Sequence, residues 1–124
     1  MAPASPPLLM ACLCAQWCDT CRDYMPVFDA CAAAFGTRVL PLWVDIEDEA
    51  ALIDGIDVEN FPTLLLAADG DTLLFLGPIT PQPLTLSRLV ASALAGDLKP
   101  VPEPPGAASD VPLARRLRAW AGAR

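Results

Sequence analysis

The chain contains no histidine at all. That absence removes the commonest general base, the Cys–His nucleophile pair and every zinc site built on imidazole. Basic residues are scarce: eight Lys and Arg stand against 15 Asp and Glu, for a net charge of −7 and a pI near 4.2. Nucleic-acid binding needs clustered Lys and Arg to neutralise phosphates, so no nucleic-acid partner is expected. No apolar run approaches the roughly 20 residues that span a bilayer, so no membrane span is expected either. The opening residues MAPASPPLLMACLCA have no basic n-region, and their apolar run is short for a secretory signal. Leu9-Met10-Ala11-Cys12 has only a faint likeness to a lipoprotein cleavage site. The expected compartment is therefore the cytoplasm. An odd set of five cysteines crowded into the first quarter of the chain suits that reducing setting better than a secreted disulfide framework.

What is present is a 124-residue chain, 54% hydrophobic and 19% charged, long enough to bury one core without a staple. Leu8 to Cys14 (LLMACLC) reads as a buried strand. Cys18 to Phe35 has apolar residues at Cys21, Met25, Phe28, Ala32 and Phe35, close to the helical period. Gly36 should stop that helix and Pro26 should kink it. Val39 to Asp45 is a second strand candidate containing Pro41, and Asp48 can cap a short helix through Ile53. Thr63 to Ala67 and Thr72 to Leu76 should form a hairpin across Ala68-Asp69-Gly70-Asp71. Leu84 to Ala95 fits a last helix of this body.

The order β-α-β-α-β-β-α predicts an α/β fold with a mixed sheet of about four strands and helices on both faces. Residues 1–98 form the expected domain, and 99–124 form a Pro-rich arm ending in a short basic amphipathic segment. Residues 1–99 hold four basic and 13 acidic side chains, and the rest four basic and two acidic, so the arm should be drawn to the body. Leu113, Leu117 and Trp120 share one face of its terminal helix.

The chemistry concentrates in AQWCDTCRDYMP, residues 15–26. Cys18 and Cys21 are three apart at a helix start, so their thiols share one face within disulfide reach. Unpaired backbone N–H groups and the helix dipole favour a Cys18 thiolate, the attacking species in disulfide exchange. Cys21, one turn deeper, would resolve the mixed disulfide. A zinc site would need Cys12 or Cys14 to turn toward the pair, and no second CxxC exists. Redox exchange is favoured over metal or a bare structural staple. No cofactor is implied.

Trp17-Cys18-Asp19-Thr20-Cys21 resembles the WCxxC active site of thioredoxin-like proteins. Pro26 falls where that family kinks its active-site helix, Phe61-Pro62-Thr63 matches its cis-proline turn, and Gly77 lies where the family has a glycine near the substrate groove. The resemblance covers about residues 8–95 and implies a thioredoxin-like fold. It implies catalytic Cys18 and Cys21, with Trp17, Phe61, Pro62 and Gly77 as substrate-binding positions and Pro62 beside the disulfide. The plainer alternatives are a half-buried Trp17 without a role and an ordinary trans proline.

The chain departs from this pattern in three ways. The family's first strand and helix have no room before Leu8, so a sheet edge or face is left for the arm or a second subunit, which allows a homodimer. The buried aspartate that assists the resolving cysteine is replaced by Cys12, and its lysine partner by Trp43, leaving water or Asp45 to take the proton. Exchange should therefore be slow. Cys12 and Cys14 point to one side of their strand. They are either inert buried hydrophobes, like Cys31, or a third redox cysteine that bridges to Cys21 or Cys18. Asp19 and Thr20 should tune the pair, the Asp19 carboxylate opposing the Cys18 thiolate.

The leading expectation is a thiol–disulfide oxidoreductase that reduces protein disulfides and is recharged by a redox donor protein. The alternative is a non-catalytic thioredoxin-like binding or scaffold module. Metal carriage through the cysteines comes third.

Overall fold

The computed structural model describes residues 8–15, 17–53, 62–68, 71–102 and 111–122. Strand β1 (Leu8–Cys14) is buried along its whole length, as a continuous apolar run must be when both faces of a sheet are covered. It pairs in parallel with β2 (Val39–Asp45) and antiparallel with β3 (Thr63–Ala68), which pairs antiparallel with β4 (Leu73–Pro78). The sheet order is β2-β1-β3-β4, so the α/β class and the mixed four-stranded sheet are as the pattern required. Pro41 is tolerated because β2 lies at a sheet edge, where a missing N–H breaks no second ladder.

The two-residue period of β1 divides the core. Leu8, Met10, Cys12 and Cys14 face α1 (Asp19–Phe35) and α2 (Pro83–Leu94), packing with Tyr24, Phe28, Leu86 and Val90. Leu9, Ala11 and Leu13 face the other way, against α3 (Leu113–Gly122), where Leu113, Ala114 and Leu117 are fully buried. This second sheet face is thus covered by the chain's own last helix. Charge holds it there too. Arg115 and Arg118 both meet the Asp71 carboxylate, at 3.2 and 3.3 Å, and Arg116 donates to the Leu52 carbonyl at 3.0 Å. Asp71 takes a positive φ of 67°, one of the few non-glycine types that tolerates it, in the β3–β4 turn.

α1 runs as one element through Pro26 and ends at Gly36, whose φ of 59° is open to glycine, and whose N–H returns to the Ala32 carbonyl. The expected helix at 48–53 is not formed. Residues 46–53 are hydrogen-bonded turns, with Glu49 N–H on the Asp45 carbonyl and Leu52 and Ile53 N–H on that of Glu49. The Asp45 carboxylate accepts from the Glu47 and Asp48 amides, which rewards a turn over a helical start at Asp48. Asp69 and Gly70 of the hairpin turn, and residues 103–110 of the proline-rich segment, lie outside the described residues.

Candidate functional site

One end of the sheet gathers the chemistry. Cys14 ends β1, Asp45 sits beside it at the end of β2, and Pro62 lies one step beyond the last β1–β3 partners, Leu13 and Thr63. The chain leaves Cys14, turns through a backbone bond from Cys18 N–H to Ala15 O of 3.1 Å, and starts α1. Cys18 is the N-cap. Its extended φ and ψ (−86° and 115°) and the Arg22 N–H bond to its carbonyl place its thiol at the helix tip, with no side-chain cap competing for the first-turn amides.

The five cysteines differ sharply in access. Cys18 is partly exposed, whereas Cys12, Cys14, Cys21 and Cys31 are buried. Cys21 is bonded to Cys14, across a Cα–Cα distance of 5.8 Å, and Cys18 is a free thiol. The bridge therefore joins the second cysteine of the CxxC motif to the strand in front of it. Cys12 Sγ lies 3.6 Å from Cys14 Sγ. Burial pushes the Cys12 thiol far up from its usual range, and pushes Cys31 up as well against a hydrogen bond with Ser87. Tyr24 is raised by burial first and by Cys12 and Cys31 second. Its buried hydroxyl has no hydrogen-bond partner among the described residues.

Cys12 and Trp43 are register partners across β1 and β2, so these two positions adjoin. Trp43 is half-buried and stacks edge-to-face on Phe28 at 5.5 Å and 73°. Asp45, the carboxylate next along, has its Oδ1 engaged by the two turn amides.

Trp17 is 63% exposed and its indole N–H donates to Glu47 across the site. Asp19 and Thr20 are exposed in the first turn, and Asp19 is paired with Arg22, so its charge is partly offset before it reaches Cys18. Pro62 is buried and its carbonyl accepts the Ile79 N–H at 3.1 Å, beside the Leu64–Gly77 register pair. Gly77 has a negative φ and only Phe75 within 4 Å of a notional Cβ, so neither backbone nor packing demands glycine there. Phe61, and with it the Phe61–Pro62 peptide bond, lies outside the described residues. A groove of about 830 Å³ opens between β4 and α2, lined by Pro78, Ile79, Thr80 and Arg88 among others; no cysteine lines it.

Two contacts were not anticipated. The Arg22 partner of Asp19 is readable in the i, i+3 spacing. Glu47 reaches Trp17 over 30 residues, and nothing local in DIEDE announces it.

A cysteine cluster thus sits where a central strand meets a helix N-terminus, on the mixed sheet of an α/β domain. The thioredoxin family model matches residues 4–80, and the chain belongs to that family. It is 30% identical over 56 residues to thioredoxin of Rhodospirillum rubrum, covering 45% of this chain and 54% of that protein. To thioredoxin 1 of Synechococcus elongatus it is 29% identical over 77 residues, 60% of this chain and 72% of that one. Thioredoxin of Trypanosoma brucei brucei superposes with a TM-score of 0.63 at 23% identity, over 73% of this chain and 78% of its own. The chain spans about half the length of the first curated relatives it matches. No described helix is long and apolar enough to cross a membrane.

Proposed function

We propose that this chain is a thiol–disulfide oxidoreductase that reduces protein disulfides, and that it works in the reducing cytoplasm. The observation that carries the reading is the gradient of access over one helical turn: Cys18 half-open at the N-cap, Cys21 sealed one turn below. The Cys18 thiolate attacks a substrate disulfide and expels one substrate thiolate. The Cys21 thiolate then attacks the Cys18 sulfur, expels the second, and leaves the chain oxidised by two electrons. A dithiol donor protein returns those electrons.

Trp17 flanks the attacking sulfur, and Phe61, Pro62 and Gly77 border the path of an extended substrate. The Pro62 carbonyl already accepts the Ile79 N–H, which takes it out of pairing with a substrate backbone. Asp19 and Thr20 tune Cys18 from the first turn. Cys12 and Trp43 offer no carboxylate to take the Cys21 proton, and the engaged Asp45 is a poor substitute, so exchange should be slow. A homodimer is not needed to cover the second sheet face, which α3 already covers; the strand edges are the surface left for it.

The test is insulin-type disulfide reduction by the reduced chain and by Cys18→Ser. Activity in the first and none in the second supports the reading. No activity in either leaves a thioredoxin-like binding module instead.

A further inference from the structure

We propose that Cys14 is a third redox cysteine, and that the oxidised chain moves its disulfide inward, from Cys18–Cys21 to Cys14–Cys21, setting Cys18 free again. This rests on the reading of Cys18 and Cys21 just given.

The geometry is that of a three-sulfur exchange centred on Cys21. On one side stands Cys14, bonded to Cys21 across a Cα–Cα distance of 5.8 Å. On the other stands Cys18, three residues earlier at the N-cap of the helix that carries Cys21. β1 brings Cys14 to this place because strand alternation aims residues 12 and 14 at the α1 face. The helix start brings Cys21 down onto it.

Access makes the arrangement directional. Cys14 and Cys21 are each 1% exposed, so an external thiol cannot reach their bond. Cys18 is the partly exposed cysteine of the cluster, and entry and exit of electrons pass through it. After a substrate has been reduced, the bond lies between Cys18 and Cys21. The Cys14 thiolate attacks the Cys21 sulfur, the Cys18–Cys21 bond breaks, and Cys18 leaves as the thiolate. The exchange is redox-neutral: one S–S bond forms, one breaks, and the negative charge passes from Cys14 to Cys18. Reversal requires Cys18 to attack Cys21 and expel Cys14.

Cys12 fits this role. Its sulfur lies 3.6 Å from Cys14, and a disulfide-bonded Cys14 carries no proton, so Cys12 must be the donor. Burial keeps that thiol protonated, so it can give the same hydrogen bond to a departing Cys14 thiolate. An oxidised chain of this kind is chemically unlike a plain dithiol enzyme. It hides its disulfide and still presents a nucleophile, so it can form a mixed disulfide with a substrate.

The test uses the full chain, oxidised and equilibrated near pH 8, given a short pulse of iodoacetamide and quenched in acid. Cleavage after Trp17 separates Cys14 from Cys18 and Cys21, and mass-spectrometric fragmentation without reduction then locates the cross-link and the label. The expected result is a Cys14–Cys21 cross-link with the label on Cys18. In Cys14→Ser the cross-link moves to Cys18–Cys21 and labelling of Cys18 falls at least tenfold. A wild-type chain carrying Cys18–Cys21 with unlabelled Cys18 overturns the proposal. Should Cys14→Ser fold poorly, Cys14→Ala replaces it, and the wild-type map decides on its own. Failure of the underlying reading looks different: the reduced wild type would not reduce insulin, whatever the map shows.

Discussion

Leu117 is the residue to remove if α3 is part of the fold's core rather than an appendage. It is fully buried with Leu113 and Ala114 against the sheet face formed by Leu9, Ala11, Leu13, Leu42, Val44 and Leu65. Leu117→Ala deletes its buried methyl groups and leaves a cavity that a sheet on one side and a helix on the other can only partly close, a cost of about 3 kcal/mol within a usual range of roughly 2–5. Unfolding entropy of about 2.1 cal/mol/K per residue over 124 residues converts 3 kcal/mol into a fall in Tm of roughly 10 °C. The matched control is Leu84→Ala in α2, a leucine 57% exposed, which should cost within about 0.5 kcal/mol. Urea and thermal unfolding followed by far-UV circular dichroism read both variants. If Leu117→Ala lies within 1 kcal/mol of the control, by this scale of core truncations, α3 does not seal the second core and the account of the fold is wrong.

Three other outcomes follow from single groups. Asp71→Asn keeps a residue that accepts positive φ but removes the charge shared by Arg115 and Arg118; it should cost about 1–2 kcal/mol, between an exposed and a buried pair. That cost should shrink in 1 M salt, and a gap that does not narrow argues against an electrostatic origin. Tyr24→Phe removes a buried hydroxyl without a described partner, so urea unfolding should show a change between zero and about 1 kcal/mol in favour of the variant; a clear loss would reveal a bond to that oxygen. The third concerns alkali. Burial raises the Cys12 thiol in the folded state, so an unfolded chain loses this proton first, from about pH 8.5, while the folded chain keeps it. Its contribution is complete below that pH and is lost above it at up to about 1.4 kcal/mol per pH unit. Stability measured from pH 8 to 10 should therefore fall less in Cys12→Ala than in wild type, and parallel curves would contradict the assignment.

The parts of this fold that could be read beforehand are those where local pattern and tertiary context agree. LLMACLC is apolar at every position because both faces of β1 are covered, and no competing structure suits such a short run. α1 shows its limits in Cys18 and Gly36, and β2 survives Pro41 because it is an edge. The 46–53 segment went otherwise, because Asp45, outside the expected helix, captures the amides with which that helix would have begun. Within the site, Trp17-Cys18-Asp19-Thr20-Cys21 was visible as a motif. The sulfur partner of Cys21 stayed open between Cys18, in reach by spacing, and a strand cysteine, and only the fold brings Cys14 there. Contacts such as Trp17 to Glu47 and Asp71 to Arg118 close loops of 30 and 47 residues, and no periodicity encodes them.

The proposed chemistry stands on a reversible dithiol couple that passes through Cys21, whichever neighbour shares the bond. Equilibrating the purified chain across graded dithiothreitol redox buffers, then counting thiols after an acid quench, measures it most directly. One transition is expected, with a two-electron slope of about 30 mV per decade, and it should disappear in Cys21→Ser. A wild-type chain whose thiol count stays constant across the series, or a transition that persists in Cys21→Ser, would contradict it.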